Sequence, residues 1–150
     1  MRISSKGRYA VAAMITMSLE QNGTDPITIL SISEKLGISK IYLEQVFSLL
    51  KKAGLVNSIK GAQGGYKLAD TPERIAVGEI LHAVEQGLFE KTERSVSGAG
   101  EEAAVEDVME TMIWNPLDQS VAALLRQISL SQLAEEVKKQ QQGSANMYYI

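Results

Sequence analysis

The stretch Ile38–Tyr66, ISKIYLEQVFSLLKKAGLVNSIKGAQGGY, decides the fold. Ser39 is placed to cap a helix, its hydroxyl accepting an orphan N–H of the first turn. Leu43, Val46, Phe47 and Leu50 recur at helical spacing and form one apolar face, with Lys40, Tyr42, Glu44, Gln45 and Ser48 off it. Lys51 and Lys52 suit the negative end of the helix dipole, and Ala53-Gly54 ends the helix because glycine enters the left-handed conformation cheaply. Val56–Ile59 and Tyr66–Leu68 then read as two short strands around the glycine-rich turn Gly61-Ala62-Gln63-Gly64-Gly65.

Just upstream, Thr28–Leu36 reads as a shorter helix with Ile29, Ile32 and Leu36 on one side, and Gly37 makes a tight turn. Helix, glycine turn, helix and hairpin in that order spell a winged helix-turn-helix, whose second helix is free to enter a DNA major groove. The competing reading is a small helical core with a hairpin and no ligand. The expected class is mainly α with a small β-hairpin (α+β): a winged helix-turn-helix head carrying a C-terminal dimerisation helix.

Charge sharpens that division. The 150 residues carry a net charge of −3, yet residues 1–70 hold nine Lys/Arg against five Asp/Glu, and residues 71–150 hold six against thirteen. A basic head on an acidic body fits DNA binding, although the head's excess is small. The chain has no cysteine, which removes disulfides, thiol catalysis and thiolate-held zinc or iron–sulfur clusters. No apolar run reaches membrane-spanning length and no signal-peptide pattern opens the chain, so a cytoplasmic protein without a membrane partner is expected. The single histidine, His82, lacks the partners that metal ligation or base catalysis needs. With no telling carboxylate pair either, no enzyme, metal site or cofactor is expected.

In chain order, Lys6 and Arg8 open a first helix whose continuation, Tyr9–Leu19, is apolar almost all round. It should pack on its own domain and on something further, such as a partner subunit. Gln21–Pro26 is a turn cluster. After the break at Asp70-Thr71-Pro72, Val77, Ile80, Leu81 and Val84 mark a helix over about 77–85. Gln86–Gly100 reads as a mobile linker. Glu101–Ile113 is amphipathic through Val105, Val108, Met109, Met112 and Ile113, and Trp114 ends it. Asn115-Pro116 resembles an N-cap followed by proline at the first helical position. The segment is therefore two helices, or one long helix broken at Asn115. Leu117, Val121, Leu124, Leu125 and Ile128 form a further apolar face, more than a small head can easily cover, which points to burial across a twofold axis, the alternative being an intrachain core helix. Ser129 and Gln132 have capping-box spacing before a last short helix with Leu130, Leu133 and Val137. The domain division is 1–85 head, 86–100 linker, 101–139 dimerisation helices and 140–150 tail. The tail ends Met147-Tyr148-Tyr149-Ile150.

SSKGRYA at Ser4–Ala10, YLEQ at Tyr42–Gln45 and LLKKAGLVNSIKGAQGGYKL at Leu49–Leu68 resemble the bacterial winged-helix regulators of the IscR/NsrR/CymR group, the Rrf2 family. The resemblance covers residues 1 to about 85 and resumes at Trp114 and at Leu130–Leu133. It implies a homodimeric, sequence-specific repressor bound to a double-stranded operator. The DNA contacts implied are Lys6 and Arg8 on the backbone, Thr28, Ser39, Lys40, Tyr42 and Gln45 at bases or nearby phosphates, Glu44 tuning preference, and Lys60, Gln63 and Gly64 in the wing. Many family members sense through three linker cysteines holding an iron–sulfur cluster, and this linker has none. A cysteine-free linker and an apolar-aromatic end resemble the family branch that represses cysteine metabolism. That implies cysteine synthase (O-acetylserine sulfhydrylase) as a partner, docked through Tyr148, Tyr149 and the Ile150 carboxylate, with Gln140–Gly143 as the tether. The departures are GLFEKTERSVSG in the linker and Asn115-Pro116. Two other functions stay open: a regulator of the same fold binding a small effector between the linker and the C-terminal helix, and an adaptor whose winged helix binds protein.

Overall fold

The computed structural model describes residues 2–21, 25–91, 93–94, 96 and 98–147. It is mainly helical with one two-stranded antiparallel hairpin. Helix α1 (Ser5–Glu20) begins at Ser4, whose hydroxyl accepts from Gly7 N–H. Ala10, Ala13, Met14 and Met17 are fully buried. Much of the apolarity of this helix has an intrachain cause. It packs on α2 (Ile29–Leu36), α3 (Lys40–Lys52), α4 (Val77–Val84), α7 (Leu130–Met147) and strand β2 (Gly65–Leu68), while Tyr9, Val11, Ala12, Ile15 and Leu19 stay half-buried.

The helix-turn-helix forms as its caps dictate. Thr28 accepts from Ser31 N–H at 3.1 Å and Ser39 from Tyr42 N–H at 3.1 Å. Between them Gly37 takes φ 65°, a left-handed turn that a side chain would strain. Leu43, Val46, Phe47 and Leu50 of α3 are fully buried, and Phe47 lies against Tyr66 with ring centroids 4.8 Å apart. Strand β1 (Val56–Ile59) pairs β2 in the register Val56↔Leu68 to Ile59↔Gly65. The sheet gains a short third rung that the sequence did not suggest. Ile27 and Tyr66 exchange both backbone hydrogen bonds, at 2.9 and 2.8 Å. Gly65 permits that approach, since a Cβ there would lie 2.6 Å from the Ile27 carbonyl oxygen.

The second half departs from expectation in its helices at two places. Helix α5 (Glu101–Met109) does not end at Trp114. It continues through a π-helical turn, Glu110–Trp114, into α6 (Asn115–Gln127). Asn115 is helical, at φ −63° and ψ −47°, and its N–H bonds the Glu110 carbonyl five residues back. Proline at 116 lacks an N–H and its ring would strike the carbonyl one α-turn earlier; a widened turn removes that clash. Asn115 is therefore no cap, and the chain forms one continuous helical rod over 101–127. The second departure is α7, an expected short helix that runs to Met147. Its capping box is present: Ser129 N–H donates to Gln132 Oε1 and Gln132 N–H to Ser129 Oγ. The Lys138–Gly143 tract extends the helix rather than tethering a tail. Tyr148, Tyr149 and Ile150 lie outside the described residues.

The rod is joined to the head at a defined point. Ala76 and Ser129 form an antiparallel bridge, with Val77 N–H donating to Ile128 O and Leu130 N–H to Ile75 O. Leu130 and Ile75 are essentially fully buried there. Two described residues of the stretch read as a mobile linker, Arg94 and Val96, bond α5. Arg94 donates to Asp107 at 2.8 Å and lies near Glu110, and Val96 N–H donates to Glu106 Oε2. The hydrogen bond from Asp107 raises the Arg94 guanidinium above its ordinary value, with the nearby carboxylates adding to it and desolvation opposing.

Candidate nucleic-acid interface and dimer seam

The outward face of α3 is the centre of the candidate interface. Lys40, Glu44, Gln45 and Ser48 are exposed, while the opposite face is fully buried. Lys40 and Glu44 approach to 4.0 Å, an i,i+4 surface pair that contributes little in water. Tyr42 is half-buried, its ring edge-on to Tyr9 at 5.3 Å, so it links α3 to α1 as well as facing outward. Ser39 and Thr28 each use a hydroxyl lone pair for capping, which leaves the hydroxyl proton free to donate. Lys51 Nζ lies 3.2 Å from Ser58 Oγ and so ties the last turn of α3 to β1.

The wing turn is exposed at Lys60 and Gln63, and Gly64 is half-buried, its N–H closing the turn onto the Gly61 carbonyl at 3.0 Å. Lys6 and Arg8 lie in the first turn of α1, Lys6 half-buried and Arg8 exposed. That turn is held by a contact spanning 81 residues. The backbone N–H of Ser4 donates to Glu85 Oε1 at 2.8 Å, and its hydroxyl bonds the same oxygen. Glu85 thus places a carboxylate at the positive end of the α1 dipole and fixes the segment that carries Lys6 and Arg8.

Two residues escaped the sequence reading. One is Glu85, whose partner is too distant in sequence for any local pattern to show. The other is Ile41, 73% exposed and on the same stripe of α3 as Glu44, Gln45 and Ser48. Its spacing to Gln45 and Ser48 was the available signal.

Of the expected dimer residues, Leu117 and Leu124 are exposed, and Val121, Leu125 and Ile128 are half-buried. Leu125 faces its own body: a Cβ on Gly78 of α4 would approach Leu125 Cβ at 3.3 Å. The exposed apolar stripe instead extends along the rod, through Val105, Val108 and Met112 to Leu117 and Leu124.

A helix-turn-helix with an outward polar second helix and a flanking wing defines a DNA-binding transcriptional regulator. The chain belongs to the Rrf2 family, whose model, described as iron-dependent transcriptional regulator, matches residues 3–136. It is 39% identical over 133 residues to the HTH-type transcriptional regulator IscR of Klebsiella pneumoniae, covering 89% of this chain and 79% of that one. It is similar in structure to CymR, the global cysteine regulator of B. subtilis. The TM-score is 0.73 at 34% identity, over 91% of this chain and 98% of that one. It also resembles T. potens IscR, with TM-score 0.71 at 33% identity, over 94% and 91% of the two chains.

Iron held by thiolates does not fit this chain, because it has no cysteine. Among the described residues no group of three or more His, Cys, Asp or Glu is placed to hold a metal. The carboxylates of α5 beside the linker are engaged by protein donors, Asp107 by Arg94 and Glu106 by the Val96 amide. Among the described residues no helix is long and apolar enough to cross a membrane.

Proposed function

We propose that this regulator is a homodimeric, sequence-specific repressor that reads its operator with α3 and the wing. The observation that carries the reading is the division of α3, with Lys40, Ile41, Glu44, Gln45 and Ser48 left exposed on a helix whose other face is fully buried. Gln45 can pair bidentately with adenine, and the capped starts of α2 and α3 present N–H groups and the hydroxyls of Thr28 and Ser39 toward phosphates. Lys6, Arg8 and Lys60 supply sequence-independent phosphate contacts, and Gln63 and Gly64 bring the wing toward the minor groove. The apolar stripe from Val105 to Leu124 is the seam for a second copy, which sets two α3 helices at fixed spacing. Binding isotherms on a selected duplex and on random duplexes test this. The proposal requires that Gln45→Ala weaken the selected duplex alone; equal weakening of both removes Gln45 from base reading.

The finer reading assigns cysteine and sulfur-metabolism genes as targets and cysteine synthase as the partner that sets activity. It is supported by the likeness to a global cysteine regulator over nearly the whole of that chain and by the absence of cysteines from the linker. Because α7 continues to Met147, the expected tether at 140–143 is helical, and a tail that docks must extend beyond that helix or unwind its last turn. Sedimentation of the full chain with the host's cysteine synthase, with and without O-acetylserine, tests the partnership. A complex dissolved by O-acetylserine is the expected result, and no complex at micromolar concentrations rejects it.

A further inference from the structure

A cavity of about 540 Å³ lies behind the DNA-facing surface, where the end of α3, the length of α4 and the last turns of α6 converge. Its floor is apolar, formed by Leu49 and Leu55 from the head and Leu125 from the rod, and the rings of His82 and Phe89, 4.9 Å apart, make one wall. Its charged groups are unequal in availability. The Glu79 carboxylate accepts from Ala76 N–H at 2.8 Å and so is held in the start of α4. Lys52 and Arg126 also line the cavity, and neither forms a salt bridge or side-chain hydrogen bond among the described residues. Leu117 and Leu124 of the seam stripe are exposed and do not line this space, whereas Ala122 and Leu125 of the same helix do. Concave apolar walls with a few converging polar groups are the usual make-up of a small-molecule site.

We infer that this cavity binds a small amphipathic anion, a carboxylate or sulfonate on an apolar body, with the body on Leu55, Leu125 and Phe89 and the anionic group between Lys52 and Arg126. The site joins the last turn of the reading helix to the rod that carries the dimer seam. An occupant that fits one α3–α6 spacing better than another shifts the separation of the two reading helices, by no more than its difference in affinity for the two states. This effector role rests on the DNA-binding reading above; occupancy of the site does not.

The test uses the full chain and two fluorescent probes of one shape, 8-anilinonaphthalene-1-sulfonate and its neutral counterpart N-phenyl-1-naphthylamine. The sulfonate should saturate at one per protomer and bind about fivefold more tightly than the neutral probe, the scale of one charge-assisted contact. Arg126→Gln should bring the two within about twofold, the same contact being lost. Ala122→Trp, which fills the cavity, and Ala53→Trp, which narrows its rim from an exposed position and should keep the helical circular dichroism of the wild type, should both abolish saturable binding. Retained binding in Ala53→Trp, or equal affinity for the two probes, overturns the site. Saturable binding that leaves affinity for the selected duplex unchanged overturns the effector role. A protein that binds no duplex overturns the proposed function, while the probe titration still decides the site.

Discussion

Ile41 poses the sharpest question at the residue scale. An isoleucine 73% exposed beside Glu44 and Gln45 is suited to the 5-methyl group of thymine, the one apolar mark in the major groove. Replacing each operator thymine by uracil removes only that methyl. Wild-type affinity should fall about threefold or more at one thymine per half-site, and Ile41→Ala should be indifferent to the same change. Uracil costs that are equal in the two proteins would remove Ile41 from readout. Gln45→Ala should cost about 1–3 kcal/mol on the selected duplex, whereas Lys6→Ala should weaken all duplexes alike and flatten the salt slope by about one unit. The cap Ser39 was legible because a hydroxyl before an apolar-periodic run has one dominant use, whereas Thr28, read as the first residue of its helix, is the cap instead. Ile41 was equally open to inspection, being two residues and about 200° from buried Leu43, but polar residues drew the reading to themselves.

At the scale of the element, the rod shows where local signals mislead. Asn115-Pro116 looks the same in sequence whether it starts a helix or sits inside one; the outcome depends on the stripe being continuous across it. Val105, Val108 and Met112 step by three and four, Met112 to Leu117 by five, and Leu117, Val121 and Leu124 by four and three. The five-residue step coincides with the π turn Glu110–Trp114, whose wider winding returns Leu117 to the face of Met112. Deleting Pro116 should therefore yield a regular α-helix with the stripe in phase and the dimer retained. Inserting one alanine after Asn115 should rotate the halves by about 100° and weaken the dimer. Sedimentation equilibrium distinguishes these, and a monomeric deletion beside an intact insertion would contradict the phase argument. The extension of α7 to Met147 was hidden for another reason. Residues 138–143 lack apolar periodicity, and lysine and glutamine hold the helix by propensity, against a cost of about 1 kcal/mol for Gly143.

For the whole molecule, the head was read almost completely from sequence because its caps, glycines and apolar spacing agree with one another. The long-range contacts were not, because Ser4–Glu85 within the head and Ile75–Leu130 beyond it close loops no local pattern spans. Burial of the stripe is open to a direct challenge. Leu124 is 57% exposed in the single chain, so Leu124→Glu should fold normally yet sediment as a monomer, since the dimer would bury an unpaired charge. Such a monomer should also lose most specific DNA affinity and keep the weak, salt-sensitive binding of the basic head. Twofold reading of DNA through α3 is put to the proof by selecting duplexes from a randomised pool with the full chain and measuring the stoichiometry on the winner. An inverted repeat with half-sites about one helical turn apart, or a multiple of it, bound by two chains, is the predicted result. A site without twofold symmetry bound by a single chain, or no enrichment at all, would contradict the account.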